Sequence, residues 1–299
     1  MSSDVSVILP VRGNCEYIDF TLKSILKSTL HPDEVLVIDD GISSDYYNLI
    51  KKYSLDLNLK IIKNNGFGLV KALNTGLNAA ACKYIARIDS DDLMTQDRIA
   101  VQRKTFDDNP KLVVVGSQCK YIDTFGNITG ISNYPTGILN QAKGFDKRCL
   151  LAHPSTMFLK SAALHIGGYR SIFTWDKADI AEDFDFWLRM RSEGQILNLD
   201  EPLTFYRQHS NQLSVKNNDA TILGTTYVKA VNTNLNGTVD SIHFIDKNSP
   251  STKRLLSVIF KKLGFKNYIA TMVYIQILKK KKSLYTTVIR KIIYHILDI

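Results

Sequence analysis

The 299-residue chain is poor in cysteine, proline and tryptophan, with four, seven and two of each. Cys15, Cys82, Cys119 and Cys149 are scattered without a C-x-x-C pair. That excludes the usual zinc-ligand spacing, argues against a disulfide framework and fits a reducing compartment. No apolar run reaches the roughly 20 residues that a membrane-crossing helix needs. The start, MSSDVSVILPV, has an early acid and a short apolar stretch, so it reads as a strand and not as a secretory leader. Acid is scarce at the other end. From Ser251 onward eleven Lys or Arg stand against Asp298 alone, so this stretch carries +10 and the body is close to neutral. A nucleic-acid binder would need its basic charge along a groove of the body, so no nucleic-acid partner is expected.

What is present reads as an alternation. VSVILPV (Val5 to Val11) is an apolar strand, and Ile18, Leu22, Ile25 and Leu26 mark a helix over residues 18–28. After His31 and Pro32, Val35 to Ile38 form a second strand ending in Asp39, Asp40 and Gly41. Leu59 to Asn64 is a third strand, Leu69 to Ala80 a helix, and KYIARIDSDD a fourth strand, again ending in acids. Further on come a helix from Arg98 to about Asp107 and a strand from Lys111 to Asp123 with a turn after it. HPSTMFLK starts another strand, SAALHIGGYR (Ser161 to Arg170) holds a short helix closed by Gly167 and Gly168, and a helix spans Glu182 to Gly194. ILNLDEPLTFYRQH then reads as a strand pair interrupted at Pro202. This order implies an α/β fold with a mostly parallel, doubly wound sheet and helices on both faces. Such sheets bind ligands outside the carboxyl ends of their strands, and two strands here deliver aspartates to that edge.

Asp89-Ser90-Asp91 is a D-x-D, which alone is more often a polar turn. At a strand end on the ligand edge it suits a hard divalent cation with oxygen ligands. Asp39-Asp40-Gly41 is ordinary turn chemistry, or supplies a carboxylate that accepts a nucleobase imino N–H. Glu182 and Asp183 open a helix, where acids favour the macrodipole but can also serve as a general base. Trp187 lies on the face of Asp183 at i, i+4, which allows an aromatic wall beside the base, though it is more often core. His153 and His209 are each more often structural; His209 can be a third metal ligand, and Arg207 can pair with phosphate oxygens.

The chain resembles the family 2 glycosyltransferases of the GT-A fold over about Val5 to Ser214. The likeness rests on an ordered set: VSVILPVRGN, EVLVIDDGISSD, NNGFGLVKALNTGLNAA, YIARIDSDDLMTQDRI, NPKLVVVGS, HPSTMF, GGYR, AEDFDFWLRM and YRQHSNQLS. It is similar to the bacterial enzymes that build O-antigen, capsule or exopolysaccharide. The resemblance implies a nucleotide-sugar pocket of Pro10, Val11, Arg12, Asp39 and Asp40, with Asp89, Ser90 and Arg207 toward ribose, metal or diphosphate. It implies Mn²⁺ or Mg²⁺ at Asp91, with Asp89 and His209 beside it. Asp183 would be the base and Glu182 a contact to acceptor or sugar, with His153 and Trp187 on the acceptor side. Ile42 stands where that family usually has serine, and Lys71 is near a position that some members use toward the diphosphate.

The expected reaction is inverting transfer from a nucleotide sugar, UDP-linked by preference, to a glycan hydroxyl, suitably on a polyprenyl diphosphate. The domain reading is 1–215 catalytic and 216–299 a basic helical extension. NYIATMVYIQIL and SLYTTVIRKIIYHILDI, with their flanking lysines, suit an anionic inner-leaflet surface, so a cytoplasmic, peripheral location is expected. A sugar-nucleotide-forming nucleotidyltransferase fits poorly, because PVRGNCEYID lacks a Gly-rich basic loop. A noncatalytic nucleotide-sugar-binding or scaffold protein is the remaining alternative.

Overall fold

The computed structural model describes residues 2–140, 142, 145, 148–175 and 178–209, and the single positions 221, 224, 225, 228, 232, 242 and 243. The basic segments expected to touch a membrane lie outside the described residues. Among the described residues, no helix is long and apolar enough to cross a membrane.

In chain order the elements begin with β1 (Val5–Gly13), α1 (Ile18–Leu26), β2 (Glu34–Ile42), α2 (Ser44–Lys51), β3 (Leu59–Lys63) and α3 (Leu69–Ala79). Then follow β4 (Tyr84–Arg87), β5 (Leu93–Met94), α4 (Arg98–Asp108), β6 (Leu112–Ile122), β7 (Ile128–Ile131) and β8 (Gly137–Ile138). A short 3-10 turn at His153–Ser155 leads to β9 (Met157–Leu159) and α5 (Lys160–His165). The last elements are β10 (Phe173–Trp175), β11 (Ala178–Asp179), α6 (Glu182–Met190), β12 (Gln195–Arg207) and β13 (Ile242–His243).

Two compact units divide the chain. The first holds residues 1–142, 149–169 and 189–212. Its sheet runs β3-β2-β1-β4-β9-β6-β12-β5, with β7 on β6 and β8 on β12. β1 pairs in parallel with both β2 and β4, and β6 with β12, while β9 and β5 run the other way. Both faces of β1 are buried, as a strand covered on two sides requires. Val5, Val7, Leu9 and Val11 point into a cluster with Ile18, Leu22 and Ile25 of α1 and Ile99 and Phe106 of α4. On the other face α3 comes so near that a Cβ on Gly76 would lie 2.7 Å from Ile8 Cγ2. The sheet is therefore helix-covered on both sides, and its chain order reverses between β1 and β4, where the ends of these strands open a crevice.

The second unit holds residues 143–148, 170–188 and 213–299, and its described part contains the sheet β11-β10-β13 and the start of α6.

One expectation changes. The strand pair around Pro202 is one strand, β12, because the missing N–H of Pro202 falls where its register against β6 shifts, between Leu199 and Thr204. α5 ends at His165 and is closed, as expected, by Gly167 and Gly168, whose φ of 80° and 71° only glycine adopts freely.

Glu34 ties strands to a helix end. It is 3% exposed and accepts from Ser6 Oγ at 2.7 Å, Ala81 N at 2.6 Å and Lys60 Nζ at 2.8 Å. Burial opposes its ionisation, but the Ala81 N–H, Lys60 and Ser6 together outweigh it and hold the carboxyl below its usual value. A depressed carboxyl adds stability that is present above the unfolded-state pKa, about 4.3, and is lost as pH falls through the folded one. Glu34→Gln is expected to cost about 1–3 kcal/mol at pH 7 and to lose stability less steeply below about pH 4.3 than the parent, which a series of urea titrations from neutral pH to well below that value would measure.

Candidate active site

The crevice is built from strand ends of the first unit. β1 and β2 place Pro10 beside Ile38 and Val11 beside Asp39. Asp39 Oδ1 accepts the N–H groups of Gly41 and Ile42, both at 2.8 Å, and Oδ2 meets Lys63 Nζ at 3.3 Å. Burial works against its ionisation, but these partners leave its pKa below the ordinary value. Asp39 therefore closes the turn after β2. Asp40 is 8% exposed and faces the start of α3: Asn64 Nδ2 donates to Oδ1 at 2.6 Å, and Gly68 N lies 3.1 and 3.2 Å from its two oxygens. Gly68 has φ 97°, which permits this approach. Arg12 is exposed and stacks its guanidinium 4.0 Å from the Phe67 ring centroid. Lys71 is exposed in the first turn of α3, with its stem against Gly66. Pro10, Val11, Arg12, Asp39, Asp40 and Lys71 thus share one side of the crevice.

The acids after β4 form its floor. Asp89, Asp91 and Asp92 each offer a carboxylate oxygen, all within 4.8 Å of one another. Ser90 sits in the turn between them, its carbonyl accepting Thr21 Oγ1 at 3.1 Å. Arg87, at the end of β4, forms an ion pair with Asp89. His209 Nε2 lies 2.8 Å from Asp91 Oδ2 and its ring is 5.7 Å from that of Tyr17. Asp92 is the most buried; its Oδ1 accepts the Arg207 backbone N–H at 2.8 Å. Burial, with the charges of Asp91 and Asp89, pushes its carboxyl well above the usual range.

These donors fit a hard divalent cation. Ligands at about 2.1–2.4 Å from an ion stand at most about 4–5 Å apart, which is the span of the three carboxylates. Among the described residues, the buried Asp92 Oδ2 also has no hydrogen-bond partner, an atom that a cation would satisfy.

Arg207 takes a different position from the one expected for a phosphate ligand. Its guanidinium turns inward: Nε donates to Asp91 O at 2.9 Å and Nη1 to Asp123 O at 2.9 Å and Thr124 O at 3.4 Å. It also stacks 4.2 Å from the centroid of Tyr17. His153 lies inside as well, with Nε2 2.9 Å from the Tyr169 hydroxyl. Burial, then the nearby Arg87 charge, drives its pKa well below the usual value, so the ring is neutral. In the second unit Glu182 and Asp183 open α6, and Asp183 Oδ1 accepts the Phe184 N–H at 2.7 Å. Trp187 is buried and edge-on to Phe186, with ring centroids 5.0 Å apart. Interior packing explains both His153 and Trp187 without an acceptor.

The sequence reading missed Tyr17, Asn64 and Arg87. Arg87 alone had a visible signal, a charge inside the apolar run YIARI.

With the geometry in place, comparison decides the family. The sequence model of Glycosyl transferase family 2 matches residues 6–167. This chain belongs to glycosyl transferase family 2. The O-antigen biosynthesis glycosyltransferase WbnJ of Escherichia coli is 32% identical over 214 residues, 69% of this chain and 80% of that protein. The E. coli UDP-Gal:alpha-D-GlcNAc-diphosphoundecaprenol beta-1,3-galactosyltransferase is 28% identical over 194 residues, 64% of this chain and 68% of that one. Among solved structures, S. aureus TarS 1–349 in complex with UDP-GlcNAc superposes with TM-score 0.62 at 20% identity, covering 87% of this chain and 73% of that chain. The fold is GT-A, and the crevice of this family 2 member is the carboxyl edge of its sheet.

Arg207→Lys would keep the charge and lose the fork that joins Asp91 to the turn at Asp123. It is expected to cost about 1–3 kcal/mol, read by urea denaturation.

Proposed function

We propose that this family 2 glycosyltransferase moves a sugar, with inversion, from a UDP-sugar to a hydroxyl of a glycan carried on a polyprenyl diphosphate, in surface-polysaccharide assembly on the inner face of the cell membrane. The carboxylate cluster after β4 carries this reading. It stands at the edge where GT-A sheets take their ligands, and relatives of this chain are named for O-antigen biosynthesis and for a diphosphoundecaprenol acceptor.

Asp89, Asp91 and His209 would hold Mn²⁺ or Mg²⁺, with Asp92 behind them. Such a cation, when bound, neutralises charge on a departing diphosphate. The protein's own groups divide the remaining work. Asp40, fixed by Asn64 and Gly68, accepts from the nucleobase edge, with Pro10 and Val11 as its apolar wall. Arg12 and Lys71 add positive charge on the same side. Asp183 accepts the acceptor hydroxyl proton at a carboxylate oxygen, and Glu182 orients the acceptor. The hydroxyl oxygen bonds to the anomeric carbon as the bond to the diphosphate breaks on the opposite face, so configuration inverts. One carboxylate base suffices, unlike the carboxylate pair of retaining glycosidases.

Thermal unfolding with UDP, GDP, dTDP and CDP, each with and without Mn²⁺, tests the donor half. UDP with Mn²⁺ is expected to raise Tm, and Asp91→Ala to abolish the rise; no shift with any nucleotide would favour the scaffold reading. For the base, Asp183→Asn is expected to lower kcat by about 10²–10⁴-fold with UDP affinity unchanged. The assay is UDP release from UDP-galactose and UDP-GlcNAc with GlcNAc-diphosphoundecaprenol as acceptor.

A further inference from the structure

α6 opens on Glu182 and Asp183, so whatever fixes its first turn fixes the proposed base. Ala181, just before it, has φ 59°. A non-glycine residue rarely adopts that conformation and keeps it only where surrounding contacts impose it. The contacts converge on Asp185, which is 0% exposed. Its N–H donates to Ala181 O at 3.1 Å. Its carboxylate receives the Arg170 fork, Nε to Oδ2 at 3.1 Å and Nη2 to Oδ1 at 2.5 Å.

A third partner comes from far along the chain. Asn232 Nδ2 donates to Asp185 Oδ1 at 3.0 Å and to Val228 O at 2.9 Å, and its Oδ1 accepts from Arg170 Nη2 at 3.3 Å. Asn232 is therefore both donor to the acid and acceptor from the base of one ion pair, through the separate N–H and C=O ends of its carboxamide. Gly224, Val228 and Asn232 are helical and spaced by four, so they share a face. Val228 is fully buried. A Cβ on Gly224 would stand 2.7 Å from Ile180 Cγ2 and 3.0 Å from Phe173 Cδ1, so this residue touches the strand and the lead-in to α6. β13 adds to the same unit by pairing with β10.

We propose that Asn232 is a positioning residue for Asp183: the chain beyond residue 215 braces the first turn of α6 through the Arg170–Asp185–Asn232 cluster. This rests on the assignment of Asp183 as base. Asn232 holds the ion pair in one geometry, the ion pair holds the turn, and the turn aims Asp183.

The test is a double-mutant cycle with Asn232→Leu, which keeps the volume and removes the amide, in the parent and Asp183→Asn backgrounds. It uses the full chain, the UDP-release assay above and hydrogen exchange. In the parent, kcat is expected to fall about tenfold while UDP affinity stays within twofold. In the Asp183→Asn background, Asn232→Leu is expected to change the residual rate less than twofold. Exchange over residues 182–190 should rise about tenfold while residues 5–13 are unchanged. Equal loss of rate in both backgrounds, or a lower Tm with kcat and local exchange unaltered, would reduce Asn232 to a stability role and overturn the proposal. If Asp183→Asn itself retains the parental kcat, the base assignment fails and the inference falls with it, a result seen before the cycle is completed. Should the leucine variant not yield folded protein, Asn232→Ala, which also removes both donor and acceptor, is read in the same way.

Discussion

Three carboxylates within 4.8 Å of one another repel by about 3–4 kcal/mol per ionised pair at an effective dielectric of 20, and the ligand edge of this protein is organised around that cost. Each acid is handled differently. Asp89 is offset by the Arg87 guanidinium, itself buried at the end of β4. Asp91 stays at the surface against the His209 ring. Asp92 is sunk out of water, and burial, with the charges of Asp91 and Asp89, pushes its carboxyl well above the usual range. The group nearest the interior is thus the one pushed toward its neutral form.

That arrangement needs a stiff backbone, and two buried arginines provide it. Arg207 bonds the Asp91 carbonyl to the turn at Asp123 and Thr124 and rests on Tyr17. Arg98 donates through Nη2 to Arg87 O at 2.7 Å and to Thr156 O at 3.1 Å, and through Nε to Gln102, whose amide reaches Val115 O and Ser155 O. Burial lowers the Arg98 pKa to about 10, which leaves it charged at neutral pH. A guanidinium can tie several carbonyls at once with fixed geometry, so β4, β9 and β6 are locked together directly beneath the aspartates. The site's shape is set by cations that never face the ligand.

This explains how far the sequence could be read. β1, β2, β4, α3 and α4 were legible because their burial is nearly continuous or helically periodic, and the aspartates at the ends of β2 and β4 followed from strand direction alone. α2 was not, because among its eight residues only Ile50 is buried and no periodic face shows. Pro202 suggested a break, but a bulge in β12 absorbs its missing donor. Arg207 and His209 stand two apart in one motif, so their types pointed to anion and metal chemistry; a parallel strand end sends one inward to carbonyls and the other toward Asp91. Pattern gives position along the chain, while the direction of a long polar side chain depends on which carbonyls the fold has left unpaired.

The same logic governs the end of the chain. Motifs of the family end near Ser214, and the strongly basic composition begins only after Ser251. Between those limits nothing in composition marks a role, yet Gly224, Val228, Asn232 and β13 all contribute to the unit that starts α6. A buried ion pair is costly unless its remaining hydrogen-bonding capacity is met, and Arg170–Asp185 meets part of it from Asn232. The side chain that completes a buried charge pair can come from any distance along the chain, so charge and motif boundaries need not coincide with packing boundaries. Here packing carries the second unit past the last motif, and the residues that aim α6 include one that no local signal could have singled out.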